Sequence, residues 1–305
     1  MQTLASFVMR GRSQAVMVAT VLAMLSLLIP PVSILSSSVV ALVTLRKGQN
    51  EGLVLLLLAA AACGALAQII LGQLVPVVGF VLLMWLPVWL LAWLLRTGRS
   101  LALALQAALI LGLLLIAGQF LQDQDPVTTW RELLEPFVRS LVESQIVAEG
   151  QQQDLLATMA HWMPGLVAAG FFLQSLLALF VARWWQAVLY NPGGFQREFH
   201  HLRMHRAVAV ITLGVMLLRW LGVVGGFWDY AAILLLAAWF LQGLALAHGA
   251  LHLMGAKTGW LVGLYLLLVF ALPHAVLALA SAGFADGWID FRARLRAGKP
   301  PEQTG

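Results

Sequence analysis

Charge is what this 305-residue sequence most lacks: only 10% of its residues are Asp, Glu, Lys or Arg, against about 25% in soluble domains. Hydrophobic residues make up 61%, and the mean hydropathy is +0.90. So little charge excludes an ordinary water-soluble fold and leaves a polytopic membrane protein, each span of which needs about 20 mostly apolar residues. Alternation is missing too. Runs such as "LVLLLLAAAACGALAQIIL" show no period of two, which excludes outer-membrane strands and predicts an all-α transmembrane bundle. Cys63 is the single cysteine and lies inside that run, so intrachain disulfides and thiolate metal clusters are excluded. There is no G-x-S-x-G, P-loop or H-E-x-x-H, and Asp229, Asp286 and Asp290 fall at span ends. Neither an enzyme, a cofactor nor a metal centre is expected. The net charge of +5 is scattered at helix ends, as orientation in a bilayer requires, and predicts no nucleic-acid partner.

What is present are apolar windows at about 14–29, 32–45, 52–73, 76–95, 101–121, 162–189, 207–222, 228–250 and 259–281. The chain opens like a signal peptide, but no A-x-A site follows the first window, so it reads as a retained helix. Window 32–45 covers only about 21 Å of helix, so it is short, tilted or merely dips in. Arg10, Arg12, Arg46, Lys47, Arg96, Arg99 and the 183–206 region fall on one side if spans alternate, and the positive-inside rule makes that side, with the N-terminus, cytoplasmic. The opposite side holds segment 122–161, with seven acids and two arginines. There Thr129 and Glu132 fit a capping box, and Trp130, Leu133, Leu134, Phe137 and Leu141 recur at helical spacing, predicting an amphipathic surface helix. Nine crossings would put the basic tail (283–305) outside. Eight with a cytoplasmic tail fit better, with 207–222 and the Gly-rich stretch after it as the suspect re-entrant element. The whole chain reads as one integral membrane domain.

Three sets of residues are candidate sites. Ala15, Ala19 and Ala23 are spaced four apart and present a small-residue face, for packing within the chain or for docking another membrane subunit. Gln68, Gln106, Gln119, Gln174 and Gln242 can glue helices or line a polar cavity, together with His248 and His252 one turn apart in "HGALH". The third set lies in the basic cytoplasmic loop 190–206, "YNPGGFQREFHHLRMHR", and the tail: Arg197, Glu198, Arg203, Asp286, Trp288, Asp290 and Arg292. Asn191-Pro192-Gly193-Gly194 is a turn signal. Phe195 and Phe199 share a helical face, so orientation and anchoring account for most of the loop.

"RWWQAVLYNPGGFQREFHHLR" and "GFADGWIDFRARLR", with its G-x-x-D-x-W-x-D-F-R pattern, resemble the signature blocks of the YybS-like family of bacterial integral membrane proteins. "ALVTLRKGQNEGLVLLLLAAA" and "QGLALAHGALH" are similar to further segments of that family. The resemblance implies a core like the substrate-binding S components of energy-coupling-factor transporters, and a first-helix A-x-x-x-A docking face matched by Ala15, Ala19 and Ala23. It also implies an inner-membrane location. No ligand-binding residue is carried over, and the helices after Arg206 and the acidic segment depart from that core. Two functions follow: small-ligand binding for uptake, or a non-transporting scaffold recruiting a partner through loop and tail.

Overall fold

The computed structural model describes residues 1–122 and 125–297; Asp123, the Arg296 side chain and Lys299 lie outside them. The chain is 86% helix, with no strand among the described residues. Among the described residues five helical runs are long and apolar enough to cross a membrane: Gln49–Leu71, Val75–Gly98, Leu101–Gln122, Glu149–Tyr190 and Phe227–Leu253. The helices are α1 (Gln2–Arg10), α2 (Arg12–Ser26), α3 (Val32–Lys47), α4 (Gln49–Leu71), α5 (Val75–Gly79) and α6 (Leu86–Gly98). Then come α7 (Leu101–Gln122), α8 (Pro126–Glu143), α9 (Gln152–Tyr190), α10 (Gly194–His200) and α11 (Arg206–Trp220). The last are α12 (Phe227–Leu253), α13 (Gly259–Phe270), α14 (Leu272–Ile289) and α15 (Phe291–Ala297). The chain divides into two compact units, one of residues 1–108, 173–206 and 238–305, the other of 109–172 and 207–237.

In the larger unit α3 is short, as expected, with 16 residues, and it is the most deeply buried helix of its neighbourhood. Every residue from Ser36 to Leu45 is buried. Ser36 and Ser38 bond to neighbouring helices inside the bundle, as buried hydroxyls usually must, while the buried Ser37 hydroxyl has no hydrogen-bond partner among the described residues. Ser36 Oγ donates to the Ala19 carbonyl (2.8 Å) and accepts from Trp85 Nε1 (3.0 Å), and Ser38 Oγ donates to the Ala178 carbonyl (3.0 Å). Trp85 ends a π-helical stretch, Phe80–Trp85, that joins α5 to α6. Pro87 follows two residues later and would crowd the carbonyl four residues back in a regular helix; the widened turn makes room for it and delivers the indole to Ser36.

The apolar window 259–281 is broken at Ala271 (φ −126°, ψ 40°), where Leu272-Pro273 begins a new helix. α13 has 12 residues, about 18 Å, too short to span a bilayer. Thr258 and Leu261, at its start, line a cavity with His200 and His252, while Arg292, just after α14, donates to the His200 carbonyl (2.7 Å). The chain therefore leaves that end along α13 and returns to it along α14. α14 crosses α12 at two glycines. A Cβ on Gly243 would overlap the Leu279 carbonyl oxygen, and one on Gly283 would lie 2.6 Å from the Gly243 nitrogen. Only glycine permits that approach.

The smaller unit corrects the capping box. α8 starts at Pro126, and Asp125 is its cap, with Oδ1 accepting from Val127 N (3.1 Å) and Oδ2 from Thr128 Oγ1 (3.0 Å). Proline suits the first helical position because its missing N–H is unpaired there anyway, so the helix begins four residues earlier than a Thr129 cap requires. Trp130 Nε1 donates to Gln119 Oε1 (2.9 Å), and Leu133 and Phe137 remain exposed. That leaves an amphipathic helix with an open apolar stripe. α9 begins at Gln152, ten residues ahead of the apolar window. The suspect 207–222 is helical through Trp220, and Arg219 pairs with Asp229 after the Gly-rich turn.

Candidate functional site

The loop between α9 and α11 and the α14–α15 junction are held together by a buried polar network. Gln242, 0% exposed, accepts from Met204 N (2.8 Å) and donates to the Gly283 carbonyl (3.0 Å) and to Asp286 Oδ2 (3.3 Å). The same Asp286 oxygen accepts from Arg292 Nη2 (2.5 Å), while Oδ1 accepts from Phe291 N (3.1 Å). Arg292 also donates to the carbonyls of His200 (2.7 Å) and Leu202 (2.9 Å). Beside it Arg203 pairs with Asp290 and donates to the Gly287 carbonyl (3.2 Å). A buried charge needs a partner and further hydrogen bonds to be tolerated, and here both members have them.

This arrangement corrects the reading of loop and tail as a free recognition surface. Asp286 and Arg292 are buried against each other, Arg203 and Asp290 are committed, and Glu198 forms a two-pronged ion pair with Arg183. Of the seven residues proposed there, Arg197 and Trp288 stay exposed. Ala15, Ala19 and Ala23 are at most 2% exposed, with the Ala19 carbonyl bonded to α3. The small-residue face is occupied inside the chain.

Next to the network lies a half-open cavity of about 500 Å³. Its aromatic wall is Phe180, Phe195 and Phe199, with ring centroids 5.7 to 5.9 Å apart. The turn at Gly193 (φ 78°) sets α10 so that Phe195 and Phe199 meet Phe180 of α9. Opposite stand His248 and His252 of α12 and Tyr265 of α13. His248 Nδ1 lies 2.9 Å from the Leu244 carbonyl, which can only accept, so this nitrogen carries the proton; Nε2 then accepts from the Tyr265 hydroxyl (3.1 Å). His200 and His252 face each other at 5.0 Å between ring centroids.

Of the polar residues expected to converge, His248 and His252 do so and the glutamines do not. Gln68 is exposed, Gln106 bonds back to the Ala102 carbonyl (3.0 Å), Gln174 lies outside the cavity, and Gln242 belongs to the network. Gln119 bridges Trp130 and the Pro164 carbonyl (3.3 Å). Sequence reasoning passed over Phe180, His200 and Tyr265. The spacing of Phe195, Phe199 and His200 on one short helix was the available signal. Among the described residues no group of three or more His, Cys, Asp or Glu is placed to hold a metal ion.

Burial, then the neighbouring His252, His248, His201 and Arg292, push the His200 imidazole down from its usual range to about 4. It is neutral at physiological pH. Because the folded value is depressed, the unfolded chain binds more protons between about pH 4 and 6.5, and stability falls as pH drops through that window. The melting temperature in detergent is therefore expected to be lower at pH 5 than at pH 7.5, with a smaller difference in His200→Gln. Equal differences in the two proteins would contradict this protonation state.

These features define the class: an all-α protein built from membrane-type helices, with a ligand-sized cavity beside a buried ionic network. Comparison with known protein families, curated proteins and solved structures finds no match to this chain.

Proposed function

We propose that the chain is a multi-pass protein of the bacterial inner membrane that binds one small, flat, mostly apolar molecule in the aromatic-histidine cavity. One observation carries this reading. Three phenylalanines and three histidines, His200, His248 and His252, surround a space of about 500 Å³, within the size range of small-molecule sites, which combine apolar walls with a few convergent polar groups. The phenylalanines offer stacking surface, and His200 and His252 offer hydrogen bonds to a polar edge of the ligand.

In this reading the YybS-like resemblance and the S-component-like core stand as the family frame, and the ligand is bound for uptake. The N-terminus, the 190–206 loop and the tail share the cytoplasmic side, a placement that the Arg203–Asp290 pair supports by joining loop to tail. The eight or nine apolar segments become eight crossings or fewer, because α13 and α14 form an out-and-back element. Docking through the alanine face is not retained. The scaffold alternative loses most of its surface to the buried network.

The test is native mass spectrometry of the chain released gently from its own membrane. A stoichiometric small-molecule adduct is expected on the wild type, and on Phe199→Ala it should fall at least about tenfold, the loss of roughly one aromatic contact and its buried area. A wild-type chain carrying only scattered lipid would overturn the proposal.

A further inference from the structure

While Phe195 and Phe199 of α10 line the aromatic cavity, Glu198 of the same helix lines a different one. This second cavity, of about 260 Å³, is bounded by Arg96 and Arg99 at the end of α6, Arg183 and Glu198, over a floor of Leu45 and Leu95. We infer that it holds the phosphate ester of an anionic lipid headgroup.

Charge is the first argument. Glu198 neutralises Arg183 through two hydrogen bonds, but Arg96 and Arg99 have no carboxylate partner among the described residues. Arg46 and Lys47 stand exposed at the end of α3, where Arg46 lies over the Tyr190 ring at 4.1 Å. With three arginines against one glutamate, the cavity itself carries an excess of cations that orientation in the bilayer alone does not require to converge. Preorganisation is the second. Arg96 Nη1 donates to the Leu45 carbonyl (2.6 Å), which fixes the guanidinium and leaves its other N–H groups for a ligand. A planar guanidinium fork matches two oxygens of a phosphate. Arg99 caps α6 in the left-handed region (φ 49°), a conformation that disfavours a Cβ, yet an arginine and not a glycine stands there.

The surroundings favour a lipid over a soluble phosphate. Arg96 is shared with an adjoining hollow of about 440 Å³ that also holds Lys47, Asn50 and Trp93, room and polar groups for the rest of a headgroup. Trp93 is 40% exposed and stacks on Trp89 at 6.3 Å, at the same end of α6. Indoles at this position mark the headgroup level of a bilayer, and the leucine floor suits the glycerol and first methylenes.

The test titrates the full chain, in a micelle of uncharged detergent, with dioctanoyl phosphatidylglycerol under native mass spectrometry. Dioctanoyl phosphatidylcholine and inorganic phosphate serve as comparisons. One phosphatidylglycerol is expected to bind at least about tenfold more tightly than phosphatidylcholine, and Arg96→Gln/Arg99→Gln to weaken it by about tenfold or more. Arg197→Gln, on α10 but outside the cavity, should leave it unchanged. Arg99→Gln alone, which removes no hydrogen bond within the chain, should weaken binding about threefold and guards against a folding defect in the double variant. Equal binding of the two lipids, or undiminished binding by the variants, would overturn the inference. Displacement of the lipid by equimolar inorganic phosphate would overturn the choice of a lipid as its source.

Discussion

Arg292→Ala is expected to destabilise the protein by about 3–5 kcal/mol, the cost of stripping one partner from a buried ion pair. That is a large share of the 5–15 kcal/mol by which folded domains usually exceed their unfolded states. The side chains of Arg292 and Asp286 are 6% and 0% exposed. Removing the guanidinium would strand a carboxylate supported only by Gln242 and the Phe291 amide, and would leave the His200 and Leu202 carbonyls without their donor. Asp286→Asn should cost less, because Arg292 keeps both carbonyls and gains a neutral acceptor in place of the charge. Arg294→Ala, at an exposed position two residues on, should stay within about 0.5 kcal/mol of the wild type. Thermal unfolding in detergent reads all three. An Arg292→Ala protein that melts with the wild type would refute the network as the tie between loop and tail.

The second large effect is expected at the α12–α14 crossing. Gly243→Ala places a methyl group against the Leu279 carbonyl, and Gly283→Ala places one against the Trp239 carbonyl and the Gly243 backbone. Overpacking usually costs about 1–3 kcal/mol when side chains can move aside. Here backbone meets backbone, no rotamer relieves it, and the helices must separate. Both variants are expected at or beyond the top of that range, with loss of the monodisperse species on size exclusion. Gly263→Ala, on α13 with nothing within 4 Å of the added methyl, is expected to be neutral or slightly stabilising, since alanine is the better helix former. Normal yield and melting of Gly243→Ala would contradict the close crossing.

The apolar runs made the helices legible in the sequence, because membrane-length runs have few alternatives. They concealed what lies inside. α3 looked marginal because its apolar window is short; Ser36 and Ser38 bond to the Ala19 and Ala178 carbonyls, partners distant in sequence. Window 259–281 looked like one span because Leu272-Pro273 leaves its hydropathy untouched while ending a helix. Ala15, Ala19 and Ala23 announced a close approach but not which helix makes it. His248 and His252 could be named as neighbours by periodicity. Their companions His200, Phe180 and Tyr265 come from three other helices, and no spacing rule joins them. Asp286 and Arg292 were recognised as notable, yet six residues apart across a helix junction they gave no sign of facing each other in the interior.

The central claim is that the aromatic-histidine cavity is a ligand site. The most direct measurement is a cryo-electron-microscopy map of the chain carried in native nanodiscs cut from its own membrane, with no detergent step to strip the site. Compact non-protein density between Phe195, Phe199, His200 and His252, separate from the surrounding acyl chains, is the result expected. A cavity closed by its own side chains, or filled by density continuous with the bilayer, would contradict it.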